Sequence, residues 1–120
     1  MRYLVILNEA PYGGERTYNG LRLASTLSER DGVDIKVFLM GDAVATAHGG
    51  QKGLAGYYNL QTMLASLSKR GRSIGVCGSC MDARGITESA LAEDVLRSSN
   101  GGAHDLDGRG RQGHRVLIDR

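Results

Sequence analysis

The sequence predicts an α/β fold: a mostly parallel sheet of four to five strands with helices on both faces, a three-layer arrangement of the flavodoxin or Rossmann kind. Three observations lead there. The runs Tyr3 to Leu7, Val37 to Met40 and Ile74 to Val76 lack the alternation of a half-exposed strand, which suits strands covered on both sides. Between them lie apolar stripes at helical spacing, Tyr18, Leu21, Ala24 and Leu27 in one segment and Leu60, Met63, Leu64 and Leu67 in another. Turn-forming pairs, Asp31-Gly32, Gly41-Asp42 and Arg70-Gly71, punctuate the alternation. Strand and helix in turn imply right-handed crossovers and parallel pairing, with ligands bound beyond the carboxyl ends of the strands.

Taken in order, Tyr3 to Leu7 is expected to be a central strand, followed by a loop from Asn8 to Gly14 that holds the chain's only proline, Pro11. A helix is expected from about Glu15 to Arg30, then a strand from Val33 to Met40 that starts by alternating and finishes fully apolar. Asp42 is placed to cap a short helix through Ala47, and the glycine-rich stretch after His48 has the composition of a mobile loop. The next helix opens at Tyr57-Tyr58-Asn59, carries Met63 in its core stripe and ends at Gly71. A strand at 73–77 follows, then a helix capped by Thr87 and running to about Ser98 with Ala92, Val95 and Leu96 inward. Val116-Leu117-Ile118 can close the sheet.

At 120 residues the chain has the size of a single domain, 1–120, long enough for a real core. Its net charge of +2, from 15 Lys and Arg against 13 Asp and Glu, gives no nucleic-acid signature. No apolar run has the length to span a bilayer, and Met1 to Leu7 lacks the features of a signal peptide, so a cytoplasmic protein without nucleic-acid or membrane partners is expected.

In that reducing compartment, Cys77 and Cys80 at C-x-x-C spacing read as redox-active, sulfur-carrying or half of a metal site rather than a static bridge. A zinc site is disfavoured, because His48, His104 and His114 are scattered and a second cysteine pair is missing from the sequence. The expected address of the thiols, where a strand hands over to a helix, has its own chemistry. Unpaired amides at a helix start carry partial positive charge, stabilise a thiolate and lower its pKa, and Arg84 can add to that field. Cys77, nearest the free amides, is the expected nucleophile; Cys80 either resolves a disulfide with it or packs as a small apolar residue. The loops carrying Tyr12, Gly13, Asp42, Gly78, Ser79 and Arg84 should converge on the same cleft, with His48 as a further candidate. Gly13-Gly14 does not complete a dinucleotide fingerprint, so no cofactor and no metal are expected.

Ala10-Pro11-Tyr12-Gly13, Phe38-Leu39-Met40-Gly41-Asp42-Ala43 and Val76-Cys77-Gly78-Ser79-Cys80-Met81-Asp82-Ala83-Arg84-Gly85 together resemble the DsrE/DsrF-like family of small sulfur-relay proteins, over roughly residues 1 to 99. The resemblance implies an α/β sheet, assembly as a homotrimer or homohexamer, and sulfur carried as a persulfide on the cysteine matching Cys77. Cys80 is a feature of the C-x-x-C branch. The implied activity is sulfur transfer, with donor and acceptor proteins or small thiols as partners. Two other readings stay open: a dithiol redox or sensing module with a reversible Cys77–Cys80 disulfide, and a non-catalytic assembly subunit.

After Ser99 the resemblance stops, and where the family has a helix with a tryptophan this chain has a glycine-rich run without an apolar stripe. Residues 100–113 are therefore expected to be irregular, leaving an apolar patch or a weakened interface. A natural divergent tail and a slip of the reading frame both account for this. Codons can be chosen for Asn100 to Gly110 that, read one base later, encode Met-Ala-Glu-Leu-Thr-Thr-Trp-Thr-Ala-Glu, a helix of the family kind. The frame of the source gene across this region distinguishes the two.

Overall fold

The computed structural model describes residues 2–12, 14–52, 59–93, 95–98 and 114–118, the last five by backbone alone. Five strands, β1 (Arg2–Leu7), β2 (Asp34–Leu39), β3 (Ser73–Cys77), β4 (Leu96–Ser98) and β5 (His114–Ile118), form one sheet in the order β4-β3-β2-β1-β5. Every pairing is parallel. Two longer helices, α1 (Arg16–Ser28) and α2 (Leu60–Lys69), connect the first three strands, and the short α3 (Gly78–Ala83) begins where β3 ends. This is the α/β architecture the sequence predicts, with β1 flanked on both sides. Because β1, β2 and β3 step in one direction across the sheet, crossovers of the same hand put α1 and α2 on one face, where they touch each other. The connection from β4 back to β5, and with it the expected irregular run at 100–113, lies outside the described residues.

The register explains why the strand ends matter together. Leu7 pairs with Leu39, Leu39 with Val76, and Cys77 with Ser98, so the carboxyl ends of four strands come level at one edge. Behind that edge sits the core: Leu7, Leu39 and Val76 are each 0% exposed, packed with Leu21 and Leu64 from the helices. Each such side chain contributes about 1.5–3 kcal/mol through removal from water, enough to hold strand ends in fixed positions.

Local side chains fasten the helices to the loops. The Glu9 carboxylate accepts from Arg16 N at 3.0 Å, and buried Thr17 donates its hydroxyl to Glu9 O at 2.6 Å, folding the first loop back onto the start of α1. Asn59 caps α2 by accepting from Thr62 N at 3.0 Å, the work expected of an Asn in that place. Ser28, at the end of α1, accepts from Arg70 at its hydroxyl (2.9 Å) and from Arg72 at its carbonyl (2.7 Å).

Several expectations are corrected. The helix from Thr87 to Ser98 does not form: Glu88–Ala90 is one 3-10 turn, and the chain then extends into β4. Thr87 makes no side-chain cap there, Val95 is buried, and Leu96 is 71% exposed. The reason is the edge of the sheet. Ala92 N donates to Ala47 O at 2.7 Å and Gly49 N to Ala90 O at 2.8 Å, which draws the segment alongside the residues after β2 and leads it to the free side of β3. Asp42 is not a cap either. It lies inside the first turn of a 3-10 helix over Gly41–Ala47, which Met40 precedes. Met63 is half-buried at the margin of the core. The stretch after His48, expected to be mobile, is tied down as far as Gln51 by those backbone bonds and by Gln51 itself; residues 53–58, with Tyr57 and Tyr58, lie outside the described residues.

A candidate thiol site at the end of the third strand

Cys77 is the last residue of β3 and the residue before α3, with extended backbone (φ −62°, ψ 116°) that turns the chain from sheet to helix. The residue is buried, at 8% exposed. Burial alone would push the thiol up, but the Ser79 and Cys80 side chains and the nearby Cys80 and Ser79 amides outweigh it and hold the Cys77 pKa below its ordinary value, although no amide of the helix makes a cap hydrogen bond to the sulfur. The Cys77 Sγ to Ser79 Oγ distance is 3.3 Å. Cys80 goes the other way. Its hydrogen bond to Cys77 comes first among the causes that raise its pKa, followed by burial, while the Gly41 amide and the Arg84 charge pull against them. The two thiols are free and chemically unlike, one tending to thiolate and one to thiol.

The second loop of the expected cleft does arrive. Gly41 N donates to Cys80 Sγ at 3.3 Å, from a backbone in the left-handed region (φ 56°) that a side chain would strain. Its Cβ position lies 3.5 Å from Asn8 O, so the loop after β1 abuts the same turn. Asp42 accepts from Arg84 Nη2 at 2.8 Å and Nε at 3.1 Å, and Arg84 Nη1 donates to Cys80 O at 3.1 Å. These charges are exposed, so the pair fixes geometry more than it stabilises.

Two expected members fall elsewhere. Tyr12 stands beside α2, its hydroxyl donating to Gln51 Oε1 at 2.8 Å and accepting from Leu60 N at 3.0 Å. Gly13 lies outside the described residues, and exposed His48 hydrogen-bonds its neighbour Gly49 O at 2.8 Å. The Arg84 charge acts on Cys80, and a second cation, Arg97, lies close enough to feel the charge of Cys77, the last of the causes that raise its own pKa. Arg97, placed inside an expected helix, gave no signal in the sequence. It comes from β4 across Gly78, where a Cβ would meet its Nε and Cζ at 2.9 Å and Ser98 O at 2.7 Å. Gly78 is thus present because the backbone of β4 approaches closely. Gln51, which also donates to Thr46 O (2.6 Å) and His48 O (2.8 Å), is the other missed residue. Among the described residues, no group of three or more His, Cys, Asp or Glu is placed to hold a metal ion, and no helix is long and apolar enough to cross a membrane.

A parallel α/β sheet that presents a C-x-x-C pair at a strand-to-helix junction defines a small α/β protein with a paired-thiol site. The chain belongs to the DsrE/DsrF-like family, whose model matches residues 1–117. It is 40% identical over 95 residues to protein YchN of Escherichia coli K12, covering 78% of this chain and 80% of that one. It is 37% identical over 106 residues to protein MJ0989 of Methanocaldococcus jannaschii, covering 88% and 89%. Among solved structures, the crystal structure of the E. coli ychN protein superposes with a TM-score of 0.86 at 36% identity, over 98% of this chain and 99% of that one. A protein of unknown function from Methanobacterium thermoautotrophicum, MTH1491, shares the fold alone, at a TM-score of 0.72 and 15% identity over 97% and 98%.

Proposed function

We propose that this protein carries sulfane sulfur as a persulfide on Cys77 and passes it to an acceptor thiol. The observation that supports the reading is the placement of Cys77 at the strand-to-helix junction, its sulfur 3.3 Å from the Ser79 hydroxyl, with its pKa lowered while that of Cys80 beside it is raised. In loading, the Cys77 thiolate attacks the outer sulfur of a donor, the donor's S–S bond breaks, and its inner sulfur leaves with the electron pair. The nearby Cys80 and Ser79 amides then lie beside the persulfide anion. Release to an acceptor thiolate reverses the step and returns Cys77 to thiolate. Alternatively Cys80, once deprotonated, attacks Cys77 Sγ, forming a disulfide and expelling hydrosulfide. That second route is also the chemistry of the dithiol redox reading, which the C-x-x-C placement of two free thiols on one helix start favours. Assembly as a homotrimer or homohexamer, small thiols or proteins as partners, and a cytoplasmic setting belong to this same proposal.

Incubation with a persulfide donor followed by intact-mass measurement is expected to show one added sulfur, retained in Cys80→Ser and lost in Cys77→Ala. A wild-type protein without the adduct, or an adduct that survives Cys77→Ala, overturns the assignment. If Cys80 is the releasing group, Cys80→Ser holds its sulfur longer than wild type in the absence of an acceptor.

A further inference from the structure

The guanidinium of Arg97 is laid across the residue that follows Cys77. Its Nε and Cζ stand 2.9 Å from the Cβ position of Gly78, and its strand is paired so that Ser98 lies beside Cys77. The guanidinium is held by Asp82, one turn into α3, through two bonds: Nη1 to Oδ1 at 2.9 Å and Nη2 to Oδ2 at 3.0 Å. Glu88 Oε1 lies 3.7 Å from Nε. This is the bidentate geometry by which arginine recognises a planar or tetrahedral oxyanion, here filled by a carboxylate of the protein itself. Asp82 is well exposed, with 65% of its side chain open to solvent, so it can yield its place to an anion from solution without being buried or stranded.

We propose that Arg97 is a binding residue of the Cys77 site that selects anionic sulfur donors, with Asp82 occupying the guanidinium until the donor replaces it. This rests on the persulfide reading for its chemistry. The donor class is a sulfane sulfur attached to an oxyanion, of which thiosulfate is the smallest member. The Cys77 thiolate attacks the outer sulfur of thiosulfate, the S–S bond breaks, Cys77 becomes a persulfide anion, and sulfite leaves with the electron pair. Charge is conserved and no oxidant is consumed. Arg97 offsets the repulsion between a thiolate and a dianion, which otherwise opposes the encounter. After the Asp82 hydrogen bond, which is the largest cause, the charges of Asp82, Glu88 and, last, Cys77 hold Arg97 protonated.

The test compares two alkylating probes of the same shape, anionic iodoacetate and neutral iodoacetamide, with modification of Cys77 followed by peptide mass mapping. Their rate ratio cancels any change in thiolate population, which a merely structural role for Arg97 would alter equally for both. The ratio is expected to fall roughly fivefold in Arg97→Ala and to return in Arg97→Lys, and the wild-type ratio is expected to fall as salt is raised. A ratio that Arg97→Ala and added salt leave unchanged overturns the proposal, and the salt series needs no variant to fold. Loading from thiosulfate, read by intact mass, is expected to slow by the same factor in Arg97→Ala. A wild-type protein that keeps the Arg97-dependent ratio but takes no sulfur from any donor overturns the persulfide reading and leaves the anion recognition standing.

Discussion

Leu39→Ala is expected to cost about 3 kcal/mol of folding stability and to lower the unfolding midpoint by about 10 °C. Leu39 is 0% exposed, ends β2, and pairs with Leu7 on one side and Val76 on the other, so truncation opens a cavity that neighbouring strands cannot close by moving singly. It also precedes Met40-Gly41, whose turn brings the Gly41 amide to Cys80. Loss of packing here should therefore weaken the bond that lowers the Cys80 pKa, and so slow the reaction of Cys80 at neutral pH, as well as weaken the fold. Leu23→Ala serves as the control: that leucine is 46% exposed, and its truncation should change stability by no more than about 0.5 kcal/mol. Thermal melts of the two variants check the pair. A Leu39→Ala protein as stable as the Leu23→Ala protein would mean that the sheet edge is not packed as described.

Gly78→Ala is the second large effect, and two terms oppose each other in it. Alanine at the first position of a helix gains about 1 kcal/mol over glycine in propensity. Against that, the new Cβ would lie 2.7 Å from Ser98 O, a backbone atom of β4 that cannot rotate away, and 2.9 Å from the Arg97 guanidinium. Relieving that contact moves the strand or tilts α3, at a cost of about 1–3 kcal/mol. The net outcome expected is a less stable protein with β4 loosened and Cys77 more exposed, seen as a lower melting midpoint together with faster hydrogen exchange of the Leu96 to Ser98 amides. A Gly78→Ala protein more stable than wild type would show that β4 does not press on α3.

How far the sequence carries the structure varies by element, for physical reasons. The central strands were legible because Tyr3 to Leu7 and Val37 to Leu39 are apolar throughout, and burial on both faces is the only setting that suits such runs. The two long helices were legible from their stripes. The segment after Gly85 was not: Ala92, Val95 and Leu96 fit a helical stripe, yet the open side of β3 and the bonds to Ala47 and Gly49 decide its conformation, and neither is written in local spacing. Of the site, the cysteine pair and its amides follow from the strand-to-helix junction. Gly41 was legible as a turn, though not as a donor to sulfur. Arg97 was hidden because its relation to Cys77 exists only once β4 is paired, and Tyr12 was misplaced because its hydroxyl satisfies α2 rather than the cleft.

The claim on which the rest depends is that the Cys77 pKa lies below that of an ordinary thiol and the Cys80 pKa above it. A lowered pKa at Cys77 adds folding stability that is present above the ordinary thiol pKa and lost as pH falls through the folded value; a raised pKa at Cys80 adds stability present below the ordinary value and lost as pH rises through the folded one. The direct measurement is the rate of iodoacetamide modification at each cysteine as a function of pH, resolved by peptide mass mapping. The account predicts that Cys77 reaches half its maximal rate at a pH below that of a free cysteine peptide and Cys80 at a pH above it. Coincident profiles, or Cys80 reacting first, would contradict it.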